Sequence, residues 1–187
     1  MSDDLSEIGR AELLDADAVG EPGARRFRLF GRRGPVTAIM WLEREHIEQL
    51  SLAVDQLLAR ITRGKALHPE ALAAVSPPPG PPASFPREPD LEFQVASLQL
   101  GYDEERRLIL LRAAPIELVE EDGEMVVRDD VEPLFSAFIT PTQAVRLSEH
   151  MTAVLATGRP RCPYCGRAMD TPHLCAKQNG YHPVNVN

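Results

Sequence analysis

Residues 36 to 64 read VTAIMWLEREHIEQLSLAVDQLLARITRG, and the hydrophobic period changes within them. Val36 to Leu42 is a run of mostly large apolar residues, the composition of a strand. From Glu43 onward Ile47, Leu50, Val54, Leu57, Leu58 and Ile61 recur at spacings of three and four, which places them on one face of a helix reaching Gly64. Glu43 and Glu45 suit the positive end of its dipole, and Arg60 and Arg63 suit the far end. A strand that runs directly into an amphipathic helix needs a sheet for that helix to cover, so the fold class is α+β.

Upstream, Ile8 to Leu14 is a first strand candidate, and RFRLF within Arg26 to Gly31 alternates charged and apolar side chains as a half-buried strand does. With Val36 to Leu42 these form an antiparallel meander. Downstream, the proline-rich segment SPPPGPPASFPREP, 76–89, cannot continue a helix or occupy a central strand. It reads as a connecting loop, and a ligand for a proline-binding groove is the less economical reading. Leu91 to Tyr102 then alternates, DEER turns, and RRLILLRAAPIELV returns to Val119 as the second arm of a hairpin. MVVRDD is a short edge strand after the Asp122-Gly123 turn, and PLFSAFI is a further strand before Thr140.

TPTQAVRLSEHMTAVLATG is a second amphipathic helix, with a capping threonine, a proline in its first turn and Gly158 to end it. Ala144, Leu147, Met151, Val154 and Leu155 form its inward face. Laid with Leu50 over Leu147, the two strand-helix stretches share a strand end, a helix start, a Leu-Ser pair and a closing apolar-apolar-Ala. This suggests a strand-helix duplication.

The 187 residues suffice for one sizeable core, taken as 1–158, with a small appendage at 159–187. The net charge of −8 argues against a protein that coats nucleic acid or anionic lipid. Arg159, Arg161, Arg167 and Lys177 against Asp170 make the appendage mildly basic, and salt-sensitive DNA binding through it is a third, weaker reading. The sequence has no long apolar run and an acidic beginning unlike a secretory signal, which leads us to expect a cytoplasmic protein without a membrane span.

All three cysteines lie in RCPYCGRAMDTPHLCAKQNGYHP, 161–183. Cys162 and Cys165 form a Cys-x-x-Cys turn, and His173 and Cys175, two apart, project to one face of an extended backbone. Three thiolates and one imidazole complete a closed tetrahedral shell for structural zinc, with His182 as the alternative fourth ligand. A redox Cys-x-x-Cys belongs between a strand and a helix, whereas this one trails the last helix. A catalytic thiol needs a partnered base, which His46, His68 and His150 do not supply by position, and Asp170 is the tail's one carboxylate for any zinc hydrolysis. No catalytic or organic-cofactor residues are assigned; no phosphate-binding Gly-x-x-x-x-Gly-Lys occurs. The acidic clusters at Glu120–Glu124 and Asp129–Glu132 do not match a calcium loop and read as solvated turns.

LEFQVASLQLGYDEERRLILLRA, ITPTQA, ATGRPRCPYCGRAMD and HLCAKQNGY, in that order, resemble a mostly actinobacterial family of uncharacterised proteins, domain of unknown function 3090, with ParJ-like members. Cys162, Pro163, Cys165, Gly166, His173, Cys175, Asn179 and Gly180 stand where that family's tail has its recurrent residues. Thr171-Pro172 stands where an acidic-Gly pair is usual, His182 lies beyond the shared block, and the proline-rich segment is unusual for the family. The resemblance implies no enzymatic activity. It implies a cytoplasmic adaptor or regulator with a protein partner, a ParA-type partitioning ATPase in one branch. The competing expectation is an enzyme with its site in a main-domain cleft, using carboxylates such as Asp103, Glu104, Glu117 and Glu120.

Overall fold

The computed structural model describes residues 8–21, 24–62, 80–121, 124–128, 131–156 and Tyr164. In chain order they form β1 (Leu13–Val19), β2 (Arg26–Arg33), β3 (Val36–Leu42), α1 (Arg44–Thr62), β4 (Leu91–Asp103), β5 (Leu108–Pro115), β6 (Leu118–Glu121), β7 (Glu124–Val127), β8 (Phe135–Ile139) and α2 (Pro141–Ala156). The change of period after Leu42 is therefore the junction of β3 with α1.

Two antiparallel meanders, β1-β2-β3 and β4-β5-β8, lie side by side in one six-stranded sheet. They join through a parallel pairing of β3 with β4, from Ala38 opposite Leu91 to Trp41 opposite Gln94. A second parallel contact joins the outer borders. The Ala11 N–H donates to the Phe138 carbonyl at 2.8 Å, and the Phe138 N–H donates to the Gly9 carbonyl at 3.1 Å. The sheet thus curls until its two borders meet, and each seam sets the last strand of one meander against the start of the other. The expected antiparallel pairing holds within each meander, and the sheet as a whole is mostly antiparallel with two parallel seams.

Alternation along the strands fills the inside. Leu14 and Ala16 of β1, Phe27 and Leu29 of β2, and Ala38 and Met40 of β3 are buried in the same core as Ile109, Leu111 and Ala113 of β5 and Phe135, Ala137 and Ile139 of β8. Burial of each Leu, Ile or Phe side chain contributes about 1.5–3 kcal/mol. Both helices complete this core: Ile47, Leu50, Ser51 and Val54 from α1, and Ala144, Leu147, Ser148 and Met151 from α2. These are the same positions in the Leu50-over-Leu147 alignment. Ser51 and Ser148, 97 residues apart, meet with their hydroxyl oxygens at 3.4 Å, and Ser148 donates to an Asp55 carboxylate oxygen at 2.6 Å. The suggested strand-helix duplication is thus a spatial one, and it extends to whole strand-strand-strand-helix units.

Two strand bounds expected from the sequence need correction. The first strand is Leu13–Val19, not Ile8 to Leu14, because Leu14 and Ala16 point to the core while Asp15 and Asp17 find distant partners. Asp17 pairs with Arg28 through two hydrogen bonds at 2.7 and 2.9 Å, and Asp15 meets His150 Nδ1 at 2.7 Å. The arm expected to reach Val119 stops at Pro115, which carries no N–H to continue the ladder. The Ile116 N–H donates instead to the Gln94 carbonyl at 2.9 Å, and β6 pairs with β7 as a separate hairpin.

The described part of the proline-rich segment, from Gly80 on, is more than a connector. Phe85 is buried against Phe30 in an edge-to-face contact, ring centroids 6.1 Å apart, and Ile39 joins them under the outer side of the first meander. Arg32 donates to the Ser84 carbonyl at 2.7 Å, which fixes the same loop.

Candidate functional site

Cys162, Cys165, His173 and Cys175, and the alternative His182, lie outside the described residues. Among the described residues no group of three or more His, Cys, Asp or Glu is placed to hold a metal ion. No described helix is long and apolar enough to cross a membrane.

The carboxylates weighed for an enzyme do not converge. Asp103 accepts the Arg106 N–H and guanidinium, each at 2.8 Å, and this turn holds its carboxyl below the ordinary aspartate range, the backbone donor contributing most. Glu104 is exposed in the same turn, between β4 and β5. Glu117 and Glu120 lie beyond the opposite end of β5, where Glu117 faces Arg128 at 3.8 Å, both about half exposed. An eight-residue strand separates the two groups, roughly 25 Å of extended chain.

The residues that do share a concave site come from α1 and β4. A cleft of about 480 Å³ is bounded by His46, Gln49, Leu50 and Ala53 on the helix and by every residue from Ala96 to Leu100 on the strand. Side chains alternate across a strand, so five consecutive lining residues mean that the cleft runs along the strand's edge and not over one face. The pairing agrees: β3 accompanies β4 only as far as Gln94, and from Val95 to Asp103 the one strand beside it, among the described residues, is β5. The register slips between Val95 and Ser97, which bends the edge where β3 leaves it.

A second lobe of about 240 Å³ continues past His46, Val95 and Ala96 to Ile116, Val127 and Arg128 at the base of the β6-β7 hairpin. His46 borders both lobes, and its buried Nδ1 has no hydrogen-bond partner among the described residues. On the hairpin and its base, Ile116 (42%), Leu118 (56%), Met125 (63%) and Val127 (49%) are exposed to a degree unusual for large apolar side chains grouped together.

The other seam shows what closes this geometry. There Gln143, the counterpart of His46, donates from Nε2 to the Ala11 carbonyl at 3.0 Å. His150, the counterpart of Ala53, bridges to Asp15 of β1, the strand position corresponding to Gln99 in β4. On the α1 side a methyl group and an amide replace the imidazole and carboxylate, and among the described residues no side-chain hydrogen bond joins the helix to β4. Sequence reading noted His46 without a role and passed over Gln49, Ser97 and Gln99. The available signal was the repeat alignment, which sets His150 over Ala53 and Gln143 over His46.

No curated protein and no solved structure matches the chain. A family model matches residues 7–175, nearly the whole length, so the chain belongs to the family described as Protein of unknown function (DUF3090).

Proposed function

We propose that this protein is a non-enzymatic adaptor or regulator that works by binding another protein, with a structural zinc knuckle formed by Cys162, Cys165, His173 and Cys175. The observation that carries the binding role is the exposed apolar cluster of Ile116, Leu118, Met125 and Val127, continuous with a cleft at the hairpin base. Exposed patches of this kind mark interaction surfaces because leaving them in water forgoes burial worth about 25 cal/mol per Å². The zinc reading rests on the donor set, since thiolate-rich shells select zinc, and on the family match, which includes Cys175 and stops short of His182.

The ParJ-like resemblance makes a ParA-type ATPase of the same organism the first partner to test, with the protein acting in the cytoplasm. Purified ATPase is titrated with the full-length chain and with a Met125→Ser/Val127→Ser variant. We expect the variant to lose at least about tenfold in affinity, the loss of one central contact. Undiminished binding by the folded variant would place the interface elsewhere, and no binding by the wild type would exclude this partner. Native mass spectrometry should find one zinc per chain; folded, metal-free protein obtained without chelation rules the knuckle out.

A further inference from the structure

From the open seam we infer that the cleft between α1 and β4 receives an extended peptide, which adds to β4 as a strand and carries alternating apolar and basic side chains. This rests on the adaptor reading and specifies how a partner would be held. Three observations lead to it. First, Val95 to Asp103 has strand pairing on one side among the described residues, so its other edge offers backbone donors and acceptors for a further strand. Second, the cleft follows that edge through Ala96 to Leu100 and continues at Ala96 into the lobe at the hairpin base. A channel along a strand edge suits a chain in extended form better than a compact ligand.

Third, the walls specify side chains. Leu50, Ala53, Leu98 and Leu100 provide apolar contact in one lobe, and Val95, Ile116 and Val127 provide it in the other. Glu45 accepts a hydrogen bond at 3.1 Å from Gln49, which lines the cleft, and Glu117, Glu120 and Glu124 are exposed beside or on the hairpin. Arg128, the basic residue of the second lobe, already faces Glu117. A chain of net charge −8 adds a long-range attraction for a basic segment.

The test uses the full-length protein and a synthetic eight-residue peptide of alternating lysine and valine. Its controls are the same peptide N-methylated at alternate residues, which removes the donors of one edge, and a glutamate-valine peptide. Amide exchange followed by NMR should slow at least about tenfold at positions between Ala96 and Leu100 when the lysine peptide is added. N-methylation should weaken binding at least about tenfold, the scale of one or two lost hydrogen bonds. Ala53→Phe, which fills the cleft from the helix side, should abolish binding. Leu52→Phe, on the exposed side of the same helix and outside the cleft, should keep it and show that a phenylalanine in α1 is tolerated.

Equal binding of the N-methylated or glutamate peptide, no binding of the lysine peptide, or protection confined to other residues would each overturn the proposal. Protection of Ala96 to Leu100 in the free protein, rising with its concentration, would assign the edge to a second copy and overturn it as well. None of these results bears on ATPase binding through the exposed hairpin, so the adaptor reading stands or falls separately.

Discussion

Gly31 shows how closely the inside of the sheet is fitted. A Cβ there would meet Phe135 Cζ at 3.1 Å, Leu14 Cδ1 at 3.2 Å and the Leu13 carbonyl oxygen at 3.3 Å. Its register counterpart in the second meander is Ala113, so one repeat has room for a methyl group that the other gives to a phenyl ring. Gly31→Ala should therefore cost about 1–3 kcal/mol in urea unfolding, the scale of overpacking. Asp90 is a different kind of constraint. It accepts the Thr37 hydroxyl and backbone N–H, each at 2.7 Å, and these bonds, the hydroxyl's first, hold its carboxyl below the ordinary aspartate value of about 3.9. A depressed folded pKa stabilises above the unfolded value and ceases to do so as pH falls through the folded one. Asp90→Asn should accordingly be less stable than wild type near neutral pH, with the difference shrinking as pH drops below about 4. A difference that persists unchanged into stronger acid would show that the carboxylate charge is irrelevant.

At the scale of elements, the two helices occupy equivalent places, after β3 and after β8, and differ in what their first turns hold. Thr140 and Gln143 form a reciprocal cap, the Gln143 N–H donating to Thr140 Oγ1 at 3.1 Å and the Thr140 N–H to Gln143 Oε1 at 2.9 Å, and the same glutamine fastens the Ala11 carbonyl. Gln143→Ala removes both functions and should destabilise by about 1–2 kcal/mol. His46→Ala, at the matching position, should cost clearly less, because its buried Nδ1 makes no bond to lose among the described residues. Equal costs in thermal unfolding would contradict the contrast between a closed and an open seam.

These elements were legible where the signal is local. β3, α1 and α2 follow from apolar spacing and caps in neighbouring residues. β1 was displaced because what seats Asp15 and Asp17 in a strand is His150 and Arg28, which no local window contains. The parallel seams were hidden for the same reason, since they join residues far apart in the chain. The cleft is a consequence of those seams, and it was legible only as a mismatch between the repeats, alanine where the other copy has histidine.

For the whole molecule, the core lies in the doubled meander-helix unit and the expected zinc in a tail beyond α2. The described core is built from residues between Ala11 and Val154, and the expected ligands follow α2 in the sequence. Cys162→Ser/Cys165→Ser should therefore lose the zinc seen by native mass spectrometry while the main unfolding transition keeps its midpoint. A large drop in that midpoint would make the tail part of the core. The expected tail ligands rest on spacing alone and lie outside the described residues, and the exposed apolar face was legible from neither composition nor charge, because its residues sit in a hairpin that reads locally as an ordinary edge.

The central claim is that a protein partner engages the face formed by the β4 edge and the β6-β7 hairpin. Hydrogen exchange of the full-length chain, alone and with the purified ParA-type ATPase in excess, tests it most directly. We expect slowed exchange within Ala96 to Leu100 and Leu118 to Val127, with β1 and α2 unchanged. A complex whose protection falls instead on the outer side around Phe30 and Trp41, or no complex at micromolar concentrations, would contradict it.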